Sequence, residues 1–187
     1  MNRVRFPACF AAMAALALSA QLAFAEDIRA VGKGFMFSEK QIAFSIIDNP
    51  DFSTLAKALK VTKLERALVR RGSFTLLAPD NAAFARIAAD EFERLFRRVN
   101  RKELAKIIAC HVIANDALAG AKLRPALEKN KHISVTTLGG CVLRVELEND
   151  TLLITDESGA IALVTYVDVV HSNGMIEIID RVLQPRS

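Results

Sequence analysis

The sequence predicts an α+β domain, with helices gathered first and an antiparallel sheet system last. Three observations carry that assignment. Apolar residues recur at helical spacing through the first half, as in Phe52, Leu55, Ala56 and Leu59. From His132 onward the period drops to two, in Ile133, Val135 and Thr137 and again in Leu143, Val145 and Leu147. The stretch Ser73 to Phe84, SFTLLAPDNAAF, joins the two regimes. There an apolar strand, a strand-ending proline, a helix cap and a helix start follow one another, each agreeing with the next.

The chain has 187 residues, a length suited to one domain, but its first 25 read as an export signal. Arg3 and Arg5 open it, a nearly uncharged run extends from Phe10 to Leu22, and Ala23-Phe24-Ala25 supplies the small residues signal peptidase needs. The run is shorter than the ~20 residues that span a bilayer. Cys9 precedes that run, which is the wrong order for lipid attachment. The expected mature protein is a single domain of residues 26–187, secreted or periplasmic and associated with the cell envelope, without a transmembrane anchor. It carries 23 basic against 21 acidic residues once Arg3 and Arg5 are removed. That balance is too mild for nucleic acid. Eleven Phe against one Tyr and no Trp predict a core of purely apolar rings.

From Glu26 to Glu39 the sequence reads as an irregular arm packing Phe35, Met36 and Phe37 on the body. Gly32 and Gly34 are half of a dinucleotide fingerprint, but no third glycine or preceding strand supports it. Gln41 to Ile47 is helical by pattern, and Asn49-Pro50-Asp51 opens the next helix with cap residues and a first-turn proline. Leu64 to Arg71 is a short helix with Gly72 at its end. Phe74 to Leu77 is a buried strand, Asp80 the cap after it, and Phe84 and Ile87 face inward; Phe92, Leu95 and Phe96 continue that face. Asn100 and Glu103 form a capping-box-like start for a helix that buries Leu104, Ile107 and Ile108. Cys110 to Ile113 reads as a strand, and Asp116 to Lys129 as a helix broken by Gly120 and Pro125. A hairpin follows. A three-residue loop, Gly139 to Cys141, pairs Val135 with Val145 and Ile133 with Leu147, so one face buries cleanly. Strands at Thr151–Thr155, Ala160–Val170 and Met175–Leu183 complete the sheet, with turns at Ser158-Gly159 and Ser172-Asn173-Gly174.

Chemical signals are sparse. His111, His132 and His171 share no metal-binding spacing, and Asp168 with His171 lacks a nucleophilic serine in a G-x-S-x-G setting. Glu146, Glu148, Asp150, Asp156 and Glu157 cluster at turns without calcium-loop spacing and read as solvated. Asp180 interrupts an apolar strand and calls for a backbone N–H or Arg181 as partner. Arg97, Arg98, Arg101 and Lys102 form a basic stretch, either a solvated helix face or a contact for anionic lipid or polysaccharide. Cys110 and Cys141 survive export. A bridge is the first arrangement to consider for such a pair, while their positions at a strand start and a loop tip leave two free thiols open. No cofactor is expected.

Two motifs resemble the fasciclin domain family. The first stands as Phe74-Thr75-Leu76-Leu77-Ala78-Pro79-Asp80-Asn81-Ala82-Ala83-Phe84. The second stands as Asn173, Gly174, Ile176, Ile179, Asp180, Val182, Leu183 and Pro185. Asn49 to Leu55 is similar to the family's first helix, Leu138 to Val145 to its hairpin, and the arm (Val31, Gly32, Gly34, Met36) to single-domain exported bacterial members. The resemblance implies helices packed on a wedge-shaped antiparallel β-sandwich and a non-catalytic role in adhesion. The implied partner is a cell-surface or extracellular-matrix protein or polysaccharide. Some fasciclin-like proteins bind pigments, so the resemblance also raises a carrier of an apolar small molecule. Where the family commonly has a Tyr-His pair, linked in animal members to adhesion, this chain has Cys110-His111; His111 is therefore the candidate adhesion contact.

Overall fold

A computed structural model describes residues 28–70, 72–114 and 120–186. The expected signal, residues 1–25, and the start of the expected helix at Asp116 lie outside the described residues. The chain opens with strands β1 (Ile28–Val31) and β2 (Gly34–Phe37). They pair antiparallel with Ala30 opposite Phe35, so the expected irregular arm is a hairpin. Gly32 turns it at φ 58°, and the Lys33 N–H donates to Asp51 Oδ2 at 2.7 Å. Its glycines serve this close docking: a Cβ on Gly34 would strike the Asn49 amide.

Helices α1 (Ile42–Asp48), α2 (Ser53–Thr62) and α3 (Glu65–Leu68) follow, with a 3-10 turn at Pro50–Phe52 before α2. Strand β3 (Phe74–Pro79) leads into α4 (Asn81–Phe84) and α5 (Ala89–Phe96). A second 3-10 turn, Arg98–Asn100, precedes α6 (Arg101–Ala109), and the short strand β4 (Val112–Ile113) leaves it. Cys110 ends α6 instead of opening the strand. Helix α7 (Gly120–Lys129) runs through Pro125, which was expected to break it. Leu123 and Leu127, one turn apart, are both buried, and that packing outweighs the hydrogen bond the proline removes.

Strands β5 (Ile133–Thr136), β6 (Val142–Glu148), β7 (Thr151–Thr155), β8 (Ile161–His171) and β9 (Gly174–Ile179) complete one seven-stranded order, β4-β3-β9-β8-β7-β6-β5. The pairings are antiparallel except β3 with β9, which run parallel from Phe74 opposite Gly174 to Pro79 opposite Ile179. The expected β5–β6 hairpin has the right parity but sits one residue earlier. Its loop is Leu138 to Gly140, and Val135 pairs with Leu143 and Ile133 with Val145. The reason is tertiary. Gly139 N donates to the Ala109 carbonyl at 2.9 Å and Leu138 N to the Val112 carbonyl at 2.6 Å, so the loop closes the end of α6. A Cβ on Gly139 would stand 2.8 Å from Cys110 N.

Two apolar cores result. Leu76, Ala78, Ile176 and Ile178 face the helices with Phe52, Leu55, Leu104 and Ile108. Leu77 and Ile179 face the other way, onto Val135, Leu143, Val145, Ile154 and Val164. The central pair β3–β9 is thus buried on both faces, which is why Phe74 to Pro79 reads as a continuous apolar run.

Gly174 is the tightest point of that pair. Its φ is 145°, and a Cβ there would collide with the Phe74 carbonyl. Gly174→Val should therefore lower stability by about 1–3 kcal/mol or more. Thermal unfolding of the variant checks this, and an unchanged midpoint would show that the turn tolerates a side chain.

Candidate functional site

Most residues of the two motifs act inside the molecule. Asp80 Oδ1 accepts from Ala83 N at 2.7 Å and caps α4. Its neighbour Asn81 caps a different helix: its Oδ1 accepts from Thr54 N at 3.0 Å, and its Nδ2 donates to the Pro50 carbonyl at 2.9 Å. Asn173 does the same at long range. Its Oδ1 accepts from Ile42 N at 3.0 Å at the start of α1, and its Nδ2 donates to the Leu68 carbonyl at the end of α3. Thr75, Ala78, Pro79, Phe84 and Ile176 are buried, Phe74 and Pro185 half-buried. Asp180 lies just past β9, where its Oδ1 accepts from Leu163 N at 2.8 Å and its Oδ2 meets Arg86 at 3.2 Å; the cation is Arg86, not Arg181.

His111 has no exposed surface. Its Nδ1–H donates to the Ile107 carbonyl at 2.8 Å, which leaves Nε2 to accept from Leu183 N at 2.9 Å. Its own carbonyl accepts from Leu77 N at 2.8 Å. Helix α6, strand β3 and the C-terminal segment meet on this one residue. Burial holds its pKa down at about 4, so the ring is neutral. A partner cannot touch it in the folded protein, which corrects its placement as an adhesion contact. Beside it, the sulfurs of Cys110 and Cys141 are joined, with Cα atoms 5.4 Å apart and both residues buried.

One carboxylate departs from the expectation of solvated turns, and its solvated neighbour is also engaged by backbone donors. Asp156 is buried; its Oδ1 accepts from the N–H groups of Ser158 and Ala160, at 2.9 and 3.1 Å, and its Oδ2 from Gln184 N at 2.7 Å. Glu157 next to it bridges Val142 N, at 3.1 Å, and Arg186 N, at 2.8 Å, which lowers its pKa. Sequence reasoning missed Glu177 altogether. It is 2% exposed in β9, and both its oxygens accept from Asp168 N, at 3.1 and 3.2 Å. Burial raises its pKa to about 8, with the Asp168 carboxylate adding to the effect. The available signal was its position between Ile176 and Ile178 in an apolar run.

Among the described residues, no group of three His, Cys, Asp or Glu side chains is placed to hold a metal, and no helix is long and apolar enough to cross a membrane. His171 Nδ1–H donates to its neighbour's carbonyl, that of Val169, at 2.8 Å. Outward-facing features among the described residues include shallow clefts and the loops. The larger cleft, about 430 Å³, lies between α4 and α5 over Phe84, Ile87 and Phe92, with Thr54 and Asn81 at its rim. The end of the molecule above His111 presents Leu138 and Val142, each about half exposed, beside Glu157 and Arg186.

The arrangement defines an α+β module whose motif residues tie helices to a central parallel strand pair. The chain belongs to the Fasciclin domain family, whose profile matches residues 50–185. It is 34% identical over 137 residues to the Synechocystis protein sll1483, covering 73% of this chain and 69% of that protein. It is 30% identical over 136 residues to pig (Sus scrofa) transforming growth factor-beta-induced protein ig-h3 and 28% over 155 residues to human periostin. The matches span only 18% and 16% of those two proteins. In structure it is similar to a FAS1 domain pair of the insect cell adhesion molecule fasciclin I, with a TM-score of 0.68 at 19% identity. That match covers 83% of this chain and 57% of the pair.

Two predictions follow from the buried groups. His111 is neutral when folded but protonates below about 6.5 when unfolded, so its contribution is lost as pH falls toward about 4. Glu177 works in the opposite sense: its stabilising contribution is complete below its ordinary value of 4.5 and is lost as pH rises to about 8. Between about pH 6.5 and 8 the loss of the Glu177 contribution runs at up to about 1.4 kcal/mol per pH unit. Urea unfolding at pH 6.5 and 8 should show this fall in the parent and not in Glu177→Gln; equal slopes would refute it. For the cysteines, labelling must be done in denaturant because both are buried. An unreduced chain of residues 26–187 should yield neither thiol, and reduction of the 31-residue separation should cost about 3–4 kcal/mol. Two labelled thiols before reduction would remove the bridge.

Proposed function

We propose that the mature domain is an exported, non-enzymatic adhesion module that binds a cell-surface or matrix component. The observation that supports this most is membership of the Fasciclin domain family, together with the likeness in fold to fasciclin I, itself a cell adhesion molecule. The engagement of the motif side chains in internal hydrogen bonds is in keeping with it, because surfaces then remain as the means of action. The contact is assigned to the loop end above His111, where Leu138, Val142, Glu157 and Arg186 are displayed and the ring beneath only holds the loops in place. Single contacts of this kind are weak and gain strength when many copies are presented.

A carrier of an apolar small molecule is the second reading, favoured by the Phe84, Ile87 and Phe92 cleft. Absorption and mass spectra of protein purified from its native source separate it from adhesion.

Beads densely coated with the domain should retain intact cells or envelope polysaccharide without added metal. Leu138→Ser/Val142→Ser should lower retention severalfold, whereas His111→Ala should match the parent per folded molecule. Retention equal to blank beads on every surface presented would refute adhesion.

A further inference from the structure

The cationic side chains of the stretch between α5 and α6 take no part in the hydrogen bonds, ion pairs or loop end described above. Val99, at 85% exposed, is the most exposed of the large apolar residues described, and it sits in the 3-10 turn at Arg98–Asn100. Arg97 and Arg98 precede it and Arg101 and Lys102 follow. None of these four cations takes part in an ion pair among the described residues, unlike Arg94, which is held by Glu91 and Glu103. A fifth cation arrives from another element: Lys57 of α2 places its Nζ 5.1 Å from the centre of the Phe96 ring, immediately before Arg97. The tertiary fold therefore gathers unpaired positive charge from two elements around one projecting apolar side chain.

We propose that this turn is a peripheral docking surface for an anionic phospholipid bilayer. Cations alone would suit any polyanion. The exposed Val99 favours lipid, because an apolar tip gains by entering the boundary between headgroups and chains while the arginines and lysines meet phosphates around it. Each Lys or Arg near an anionic surface raises partitioning about fivefold, so five of them form a usable, salt-sensitive attachment. Arg94, Glu91 and Glu103 together add one net negative charge nearby, which the four flanking cations exceed.

This inference does not depend on the adhesion reading. The turn lies at the start of α6, whereas Leu138 and Val142 sit at its other end, about 13 Å away along a nine-residue helix. Protein-free vesicles also contain none of the partners that reading requires.

The test is flotation of the protein (residues 26–187) with phosphatidylcholine vesicles, alone or with about one phosphatidylglycerol in three lipids, at about 0.05 and 1 M salt. The expected result is binding to the anionic vesicles only, abolished at high salt. Replacing Arg97, Arg98, Arg101 and Lys102 by Gln should lower it at least tenfold. The same charge change at Lys33, Lys63, Lys129 and Lys131 should lower it far less. Val99→Ser should weaken it severalfold with no change in charge, and Arg97→Gln/Arg98→Gln provides the reading if the quadruple variant fails to fold. No binding to anionic vesicles would overturn the proposal, as would equal losses in the two neutralised sets. Retention on immobilised heparin without any binding to vesicles would overturn it in favour of a polysaccharide surface.

Discussion

The parallel pairing of β3 with β9 is the constraint on which the rest of the structure depends. It joins residues about a hundred positions apart, from Phe74 opposite Gly174 to Pro79 opposite Ile179. Both faces of the pair are buried, one against the helices and one against the β5–β8 strands. Both cores are completed by this contact. The pairing in turn requires Gly174, because the Phe74 backbone occupies the space a side chain would need. A long-range parallel contact of this kind carries a large loop-closure penalty, so its strength must come from burial on two sides at once.

Helix ends are the second organising problem, and here the chain uses side chains remote in sequence. Asn173 serves the start of α1 and the end of α3, Asn81 the start of α2, and Asn49 the 3-10 turn while also donating to the Val31 carbonyl at 3.1 Å. The Leu138–Gly140 loop does the same for the end of α6 with backbone donors. A buried donor left without a partner costs about 1–3 kcal/mol. Each of these residues therefore fixes the position of an element.

The buried ionisable groups follow the same logic. His111 and Glu177 both stay neutral in the folded protein near neutral pH because burial disfavours charge. His111 has a partner for each ring nitrogen. Glu177 has one backbone donor for two oxygens, and that donor belongs to Asp168, held at φ 56° in the irregular part of β8. A carboxyl so placed shapes a bulge at the expense of stability in mild alkali. The Cys110–Cys141 link lies next to His111, so the end of α6 is secured by covalent, hydrogen-bonded and packed contacts together.

Local patterns determined much of this protein. The helix stripes, the strand from Phe74, the Asp80 cap and the strand at Thr151–Thr155 all follow from periodicity and short-range chemistry, which act over a few residues. The family motifs pointed to the fold. What only the tertiary structure decided are contacts whose partners lie far apart in sequence. The hairpin loop moved by one residue and its pairing by two because Gly139 had to meet Ala109, and the arm became a hairpin because Asp51 and Asn49 receive its turn. Pro125 stayed within α7 because Leu123 and Leu127 are buried. His111 looked available for a partner on sequence position alone, yet Ile107 and Leu183 enclose it. Burial and hydrogen-bond satisfaction are properties of the assembled chain, and no window of sequence contains both partners.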